Sequence, residues 1–119
     1  MTIFENIAIS KTFKNTDSDG MRHYSVTMKY NKKQYTFNYF IGQSLSEDAI
    51  NAKNVMYSLL LDADCARMSF EEFCREFGYN SDSISDLNIW KSCNKSHKNL
   101  VRMFTSEEIA TMNELLADY

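Results

Sequence analysis

The chain has 119 residues, of which 44% are hydrophobic, and its 16 acidic and 13 basic side chains give a net charge of −3. This length supports one domain around a single core, and the net charge argues against a protein that simply coats nucleic acid. No apolar stretch approaches the roughly 20 residues of a membrane-spanning helix, and the start, with Glu5, lacks the basic segment expected of a secretory signal.

The three cysteines form an odd and widely spaced set, at Cys65, Cys74 and Cys93. Neither a disulfide framework nor a zinc site has such a pattern. We therefore expect reduced thiols in a cytosolic protein. The chain also contains no proline and only three glycines, which indicates no flexible linker, so residues 1–119 are predicted to form one domain.

The first part of the chain is predicted to form strands. Apolar and polar residues alternate over 24–30 and again over 35–41, which is the period of a strand with one buried face. The polar stretch 31–34 lies between them and predicts a hairpin. A third strand is predicted ahead of the hairpin, with an inward face made of Ile7, Ile9 and Phe13. The result is an antiparallel meander whose apolar face needs a cover.

The helical part begins with a stretch in which apolar residues recur with a period of 3.6. Its core-facing stripe consists of Ala52, Val55, Met56, Leu59, Leu60 and Ala63. Ser46 is placed to cap this helix, and Leu45 and Ile50 have the spacing of a hydrophobic staple. We therefore expect the first helix to start just after Ser46 and to cover the sheet.

The stretch SFEEFCREFG, residues 69–78, predicts a second helix with clear ends. Ser69 and Glu72 have the spacing of a capping box, and Gly78 supplies the left-handed residue that follows a helix. The buried face is predicted to consist of Phe70, Phe73, Cys74 and Phe77. The acidic side chains of this helix are then left for water.

Two further helices are predicted, a long one from about 83 to 103 and a last one that begins at TSEE. The buried stripe of the long helix is expected to consist of Leu87, Trp90, Cys93, His97, Leu100, Val101 and Phe104. Thr105 and Glu108 have the capping-box spacing at the start of the last helix. The predicted fold class is α+β, with a three-stranded antiparallel sheet in residues 1–44 packed against about four helices in residues 45–119.

The stretch NTDSDG, residues 15–20, has the first half of a calcium-loop pattern. Its twelfth position is Val26, where a bidentate glutamate is required, and its flanks are predicted strands and not helices. We therefore interpret the stretch as a solvated turn and expect no metal.

A second candidate cation site is the stretch GYNSDS, which Asp86 follows closely. Its oxygen ligands would be Asn80, Asp82 and Asp86. The simpler interpretation is a helix start, because Ser81 or Ser83 is placed to cap the long helix and acidic side chains favour the N-terminal dipole.

Two histidines and three cysteines could build a thiol or metal site, but Cys74, Cys93 and His97 lie on predicted apolar stripes. Buried cysteine usually behaves as a small hydrophobic residue, and catalysis by a Cys–His pair requires a tertiary contact. No phosphate loop, dinucleotide fingerprint or nucleophile elbow occurs. We expect neither an enzyme nor a cofactor.

Charge is segregated along the chain, and this distribution favours a protein that binds its partner through a charged surface. Residues 62–86 contain seven acids against two arginines, a net charge of −5, whereas residues 87–104 contain four basic residues and no acid. The candidate protein-binding set is acidic and consists of Asp62, Asp64, Glu71, Glu72, Glu76 and Asp82. The alternative nucleic-acid-binding set is a basic stripe at helical spacing and consists of Lys91, Lys95, Lys98 and Arg102. Each set also has a plain interpretation as a solvated face.

Two stretches, HYSVTMKYNKKQYTFNYFIG and LLLDADCARMSFEEFCREFGYNSDS, are followed by a helix with the single cysteine Cys93. Over residues 22–104 this arrangement resembles a family of small, largely uncharacterised proteins encoded by bacteriophages and prophages. The resemblance implies an accessory protein in the cytoplasm of a bacterial host, with no catalytic residues to place on this chain. Phage proteins of this size include many inhibitors of host defence, among them anti-CRISPR proteins, which favours a binding role.

The leading hypothesis is a non-enzymatic phage-type protein that inhibits or modulates a bacterial nucleic-acid-processing or defence machine. In this hypothesis the acidic set imitates phosphates and docks on a basic surface of the partner. The alternative is a direct DNA- or RNA-binding accessory protein of phage replication or recombination that uses the basic stripe. The expected partner is thus a host protein or nucleoprotein complex, and no membrane is involved.

Overall fold

The structure, a computed structural model, describes residues 2–119 and has the predicted α+β architecture. A three-stranded sheet is followed by four α-helices. The strands are β1 (Ala8–Thr16), β2 (Arg22–Tyr30) and β3 (Lys33–Ile41), and the helices are α1 (Ala52–Cys65), α2 (Phe70–Phe77), α3 (Ile84–Met103) and α4 (Ser106–Leu115). Two short 3-10 helices, Ile3–Asn6 and Glu47–Ala49, precede the sheet and α1.

The sheet is an antiparallel meander in the order β1-β2-β3, as predicted. The hairpin between β2 and β3 is tighter than expected, because Tyr30 already pairs with Lys33 and only Asn31 and Lys32 form the turn. Both turn residues have positive φ, 49° and 67°, which is the conformation of the two-residue turn that matches the twist of a hairpin. This turn fixes the register of β3 against β2 along its whole length.

The core lies between the central strand and the helices. Strand β2 contributes Tyr24, Val26 and Met28, which are almost completely buried. The helical side of the same core consists of Val55, Met56, Leu59, Leu60, Ala63, Leu100, Met103, Phe104, Met112 and Leu116. Helix α1 packs mainly against α3, so the two form the layer that covers the sheet.

Strand β1 departs from the prediction at Phe13, which is 51% exposed although its ring packs edge-on against Tyr24 at 5.5 Å. The pairing of β1 with β2 has a register shift between Phe13 and Asn15. A bulge of this kind bends the strand and increases its twist, which explains why the end of β1 leaves the layer that the helices cover.

Helix caps follow the sequence except at α1. Ser46 caps the 3-10 helix Glu47–Ala49, and the cap of α1 is Asn51, whose side chain accepts a hydrogen bond from the amide of Asn54 at 2.9 Å. Of the two residues of the predicted staple, Ile50 is buried in the core whereas Leu45 is 50% exposed. The extra 3-10 turn separates Ser46 from α1 and explains the difference.

Helix α3 buries Leu100, as predicted, but its next residue Val101 is 52% exposed. Each residue of a helix is turned by about 100° from the one before, and Leu100 and Met103 are the residues that reach the core. The prediction for Val101 was therefore wrong because it made the buried stripe one residue too wide.

Helix α2 lies outside the main core and packs on the first half of α3. The rings of Phe70 and Trp90 are 5.9 Å apart, and the indole Nε1 of Trp90 donates a hydrogen bond to the carbonyl of Met68 at 3.1 Å. Phe73 is 3% exposed, as predicted, whereas Phe77 is 53% exposed, so the prediction that it is buried was wrong. The last turn of α2 has no covering element among residues 2–119.

Candidate functional site

The surface around the end of α2 combines exposed aromatic rings with carboxylates. We call it the α2 surface and define it by Glu72, Glu76, Phe77, Tyr79 and Asp82. All five side chains are exposed. Within residues 2–119 none of the three carboxylates forms an ion pair, because the ion pairs found there join His23 to Asp17 and Arg67 to Asp64.

The two aromatic side chains of this surface are held in place by the buried Phe73. The ring of Phe77 lies 5.3 Å from that of Phe73, and the ring of Tyr79 is stacked on Phe73 at 5.1 Å with only 14° between the planes. Gly78 makes this arrangement possible, because its φ of 75° turns the chain back after the helix. The amide of Tyr79 then donates to the carbonyl of Cys74 at 3.0 Å.

The start of α2 is equally well determined by local interactions. The Ser69 side chain accepts a hydrogen bond from the amide of Glu72 at 3.1 Å, which confirms the predicted cap. The Glu72 side chain does not return to the Ser69 backbone, so the capping box is incomplete. Glu72 therefore keeps its carboxylate free at the surface.

The loop after α2 forms the start of α3, as the simpler interpretation of the sequence predicts. The carboxylate of Asp86 accepts from the amide of Asn80 at 2.8 Å, and the Asn80 side chain accepts from the amide of Asp82 at 2.9 Å. Ser83 caps α3 by accepting from the amide of Asp86 at 3.2 Å. These oxygens are used within the loop, and in residues 2–119 no group of three His, Cys, Asp or Glu side chains is arranged to hold a metal ion.

The stretch 15–20, which has the first half of a calcium-loop pattern and was interpreted as a turn, forms a closed turn. One oxygen of the Asp17 carboxylate accepts from the amides of Asp19 and Met21 at 2.9 and 3.0 Å, and the other lies 2.7 Å from Nε2 of His23. The hydrogen bond with His23 is the main reason why the pKa of Asp17 is lowered. Asp17 is therefore occupied in stabilising the turn.

The structure does not bring all six residues of the acidic set together. Glu71, Glu72, Glu76 and Asp82 are exposed on α2 and the following loop, and Asp64 is exposed near Arg67, 3.9 Å away. Asp62 instead lies half-buried in a groove beside β3, where burial raises the pKa of its carboxyl group. A docking surface built on this set therefore centres on α2 and excludes Asp62.

The basic stripe forms on the outer side of α3 as the helical spacing predicts. The side chains of Lys91, Lys95, Lys98 and Arg102 are all exposed, and within residues 2–119 none of them is ion-paired. Lys95 differs from the other three because it also lines the groove beside β3.

This groove, with a volume of about 700 Å³, runs along β3 and is bounded on the other side by α1 and α3. Its apolar wall is a row of three half-buried rings from β3. The rings of Tyr35 and Phe37 are 5.1 Å apart, and those of Phe37 and Tyr39 are 6.5 Å apart. The helical wall consists of Val55, Ser58, Leu59, Asp62, Ser92, Lys95 and Ser96. The alternation over 35–41 predicted this row on one face, but not that it would be open to the groove.

The thiols lie in environments that suppress their chemistry. Burial is the main cause that raises the pKa of Cys93 to about 12, and the nearby charge of Asp62 adds to it. Burial also raises the pKa of Cys74 and of Cys65. Since the thiolate is the nucleophile, these shifts make the thiols poor ones at neutral pH. Within residues 2–119 His97 forms no side-chain hydrogen bond with any of them.

Comparison with protein-family models, curated proteins and solved structures finds no match for this chain. Of the helices formed by residues 2–119, none combines the length and the apolar composition that crossing a membrane requires. The residues that sequence reasoning missed are Phe77 and Tyr79. Gly78, which lies between them, could have indicated this arrangement, because a left-handed residue at the end of a short helix changes the direction of the chain and so the orientation of the adjacent side chains.

Proposed function

We propose that this protein is a non-enzymatic binding protein that docks through the α2 surface on a basic surface of a bacterial nucleic-acid-processing or defence machine and thereby inhibits or modulates it. The observation that carries the proposal is the combination of two exposed rings that pack on Phe73, those of Phe77 and Tyr79, with three exposed carboxylates that form no ion pair within residues 2–119, those of Glu72, Glu76 and Asp82.

The physical argument starts with the aromatic side chains. Tyr and Phe are enriched at interfaces, and a few such anchors contribute most of the binding energy. Phe77 and Tyr79 both rest against the buried ring of Phe73, so they lose little conformational freedom on binding. Preorganised anchors of this kind reduce the entropic cost of association.

The carboxylates then determine which partner fits. Rim charges contribute more to specificity and association rate than to affinity. Three acids that form no ion pair within residues 2–119 favour a basic surface, and channels that accommodate nucleic acid are basic. The acids therefore act as substitutes for phosphates at the entrance of such a channel.

The biological setting in this proposal comes from the resemblance to phage and prophage proteins. It places the protein in the cytoplasm of a bacterial host and favours an anti-CRISPR-like inhibitor as the class. The resemblance rests on the β2–β3 hairpin, on the stretch that includes α2 and its loop, and on the helix that carries Cys93. Part of it therefore coincides with the α2 surface.

The test compares two triple charge reversals. Glu72→Lys/Glu76→Lys/Asp82→Lys reverses the α2 surface, and Glu107→Lys/Glu114→Lys/Asp118→Lys makes the same change of net charge on exposed residues in and after α4. Each protein is used to capture partners from a nuclease-treated bacterial lysate. We expect capture by the wild type and the α4 variant but not by the α2 variant. Equal capture by both variants would show that the α2 surface is not the docking site.

A second candidate function is direct nucleic-acid binding through the basic stripe on α3. It is favoured by the exposure of all four basic side chains and by their lack of ion pairs within residues 2–119. Phosphate contacts of this kind make binding strongly dependent on salt.

The test for this function uses fluorescence anisotropy with a labelled oligonucleotide at low and moderate salt. Lys95→Glu/Lys98→Glu should weaken binding and reduce the slope of log K against log salt by about 1.5. Lys29→Glu/Lys53→Glu removes the same charge at exposed sites elsewhere and should leave the slope unchanged. Absence of binding at low salt would eliminate this function and leave the first proposal untouched.

A further inference from the structure

The two edges of the sheet differ in how they are protected from pairing with another strand. At the β1 edge the register with β2 shifts between Phe13 and Asn15. Lys11 lies on the same face of β1 as the apolar core, because it pairs with the buried Val26, and its Nζ donates to the carbonyl of Glu47. A bulge and an inward-pointing charge are two recognised means of preventing edge-to-edge association.

The β3 edge has neither protection. All nine residues of β3 pair with β2 in one continuous register without a bulge. The stretch 34–40, QYTFNYF, contains no charged residue and no proline. In residues 2–119 no further strand pairs with the outer edge of β3. A long, regular and uncharged edge is the type of strand that recruits another strand.

The turn at Asn31 and Lys32 determines which backbone groups this edge offers. A two-residue hairpin closes with a hydrogen-bonded pair, here Tyr30 with Lys33, and such pairs then alternate along the ladder. Tyr35, Phe37 and Tyr39 therefore direct their amides and carbonyls toward β2. The amides and carbonyls that point outward belong to Gln34, Thr36, Asn38 and Phe40.

The side chains along the same edge are also only partly covered. The rings of Tyr35, Phe37 and Tyr39 form one wall of the groove beside α1 and α3. On the opposite face of the strand, Phe40 is exposed. A strand added to this edge would extend the row of rings and remove apolar surface from water.

We propose that β3 pairs antiparallel with β3 of a second copy of this chain, which joins two sheets into one sheet of six strands. The centre of β3 is Phe37, and an antiparallel arrangement about this residue overlaps all nine positions. In this register the outward groups of Thr36 face those of Asn38 in the second copy, and Gln34 faces Phe40, which gives about eight backbone hydrogen bonds.

A second copy is the occupant that these residues favour, because the strand is complementary to itself. About the two-fold axis Phe37 lies next to Phe37 of the second copy, and Tyr35 lies next to Tyr39, so aromatic side chains meet aromatic side chains. No like charges face each other across the strand. Among residues 2–119 the charged side chains that line the groove are Asp62 and Lys95 on the helical wall, which have opposite signs, and Lys14 of β1, whose Nζ donates a hydrogen bond to the Asn38 side chain at 3.3 Å.

The first test measures molar mass by light scattering and sedimentation over a range of concentrations. We expect the wild type to approach twice its chain mass of 13.9 kDa. Thr36→Lys/Asn38→Lys should shift it to a monomer, because each new lysine then lies directly opposite another across the axis. The control Ser10→Lys/Thr12→Lys adds two lysines at exposed positions of the protected edge and should remain dimeric.

A charge-swap experiment separates loss of pairing from loss of folding. Thr36→Glu/Asn38→Glu should also be monomeric alone, and a mixture with the lysine variant should form a heterodimer, because opposite charges then face each other. Formation of this heterodimer shows that both variants are folded and that this register is the one used.

The proposal is overturned by a monomeric wild type at about 1 mM, or by a dimer that the lysine variant leaves intact. A monomer that instead takes up a peptide or an oligonucleotide at this edge also overturns it. The α2 variant Glu72→Lys/Glu76→Lys/Asp82→Lys should remain dimeric, because the β3 edge is independent of the proposed function. A negative result in the capture assay therefore contradicts only the proposed function, and a negative result in the mass measurement contradicts only the dimer.

Discussion

Helices α1 and α2 are both capped and amphipathic, yet they use their apolar residues differently. Helix α1 buries Val55, Met56, Leu59, Leu60 and Ala63 in the main core. Helix α2 buries Phe73 and Cys74 in a smaller cluster against α3 and leaves Phe77 exposed. The difference shows that α1 uses its apolar residues for folding, whereas α2 has an aromatic residue more than its packing requires. That residue is available for binding.

The largest expected effect in the main core is on α1. Met56→Ala removes a fully buried side chain and should lower the free energy of unfolding by about 2–5 kcal/mol, because a cavity remains in a core shared by the sheet and the helices. Urea denaturation followed by circular dichroism measures it. A loss below about 1 kcal/mol would contradict the central position of α1.

A smaller effect is expected where α2 is attached to α3. Trp90→Phe removes the hydrogen bond to the Met68 carbonyl and should cost about 1 kcal/mol, while a ring remains to pack against Phe70. In this variant the amide hydrogen exchange of α2 should become faster, while that of the sheet should change little. Equal acceleration in both regions would mean that α2 and the main core unfold as one unit.

The smallest effect on stability is expected at Phe77. Phe77→Ala should change the free energy of unfolding by less than about 1 kcal/mol, because the ring is mostly exposed, yet it should greatly reduce partner capture. The matched variant Phe73→Ala removes the buried ring of the same helix and should cost about 3–5 kcal/mol. Similar losses in the two variants would remove the distinction between a folding residue and a binding residue in α2.

The reaction rates of the three cysteines compare the accessibility of the main core with that of α2, and the measurement requires no substitution. At pH 8 the buried Cys74 of α2 and Cys93 of α3 should react with a disulfide reagent only as fast as the protein opens, and the partly exposed Cys65 should react first. The folded state keeps the Cys93 proton up to about pH 12, against 9.0 for the ordinary thiol. Stability should therefore fall as the pH rises above about 9, and less so in Cys93→Ala.

Most of the local structure was predictable because it depends on residues that are close in sequence. Ser69 and Thr105 begin their helices as predicted, Ser83 is one of the two caps considered for α3, and Gly78 ends α2. The alternation in β2 identified the central strand correctly. These features depend on side chains that reach their own backbone and on periods of two and 3.6.

The candidate sites were less predictable because the exposure of a side chain depends on which helices or strands pack against it in the folded protein. The pattern of α2 assigned Phe73 and Phe77 to one apolar face, and only the position of α3 leaves the second of them uncovered. The residues of the acidic set all lie within residues 62–82 of the sequence. The fold nevertheless places Asp62 in the groove beside β3, whereas Glu72 and Glu76 are exposed on α2.

The amino-acid sequence by itself determined the order of strands and helices, the caps of α2 and α4 and most of each apolar face, because these follow from local geometry and hydrogen bonding. Only the tertiary structure decided which apolar faces are covered. Helices α1 and α3 cover the central strand but not the outer edge of β3, and α3 covers the start of α2 but not Phe77. The rings and charges that stay exposed form the surfaces proposed to bind. They stay exposed because the layer formed by α1 and α3 is too small to cover every apolar side chain of the sheet and of α2.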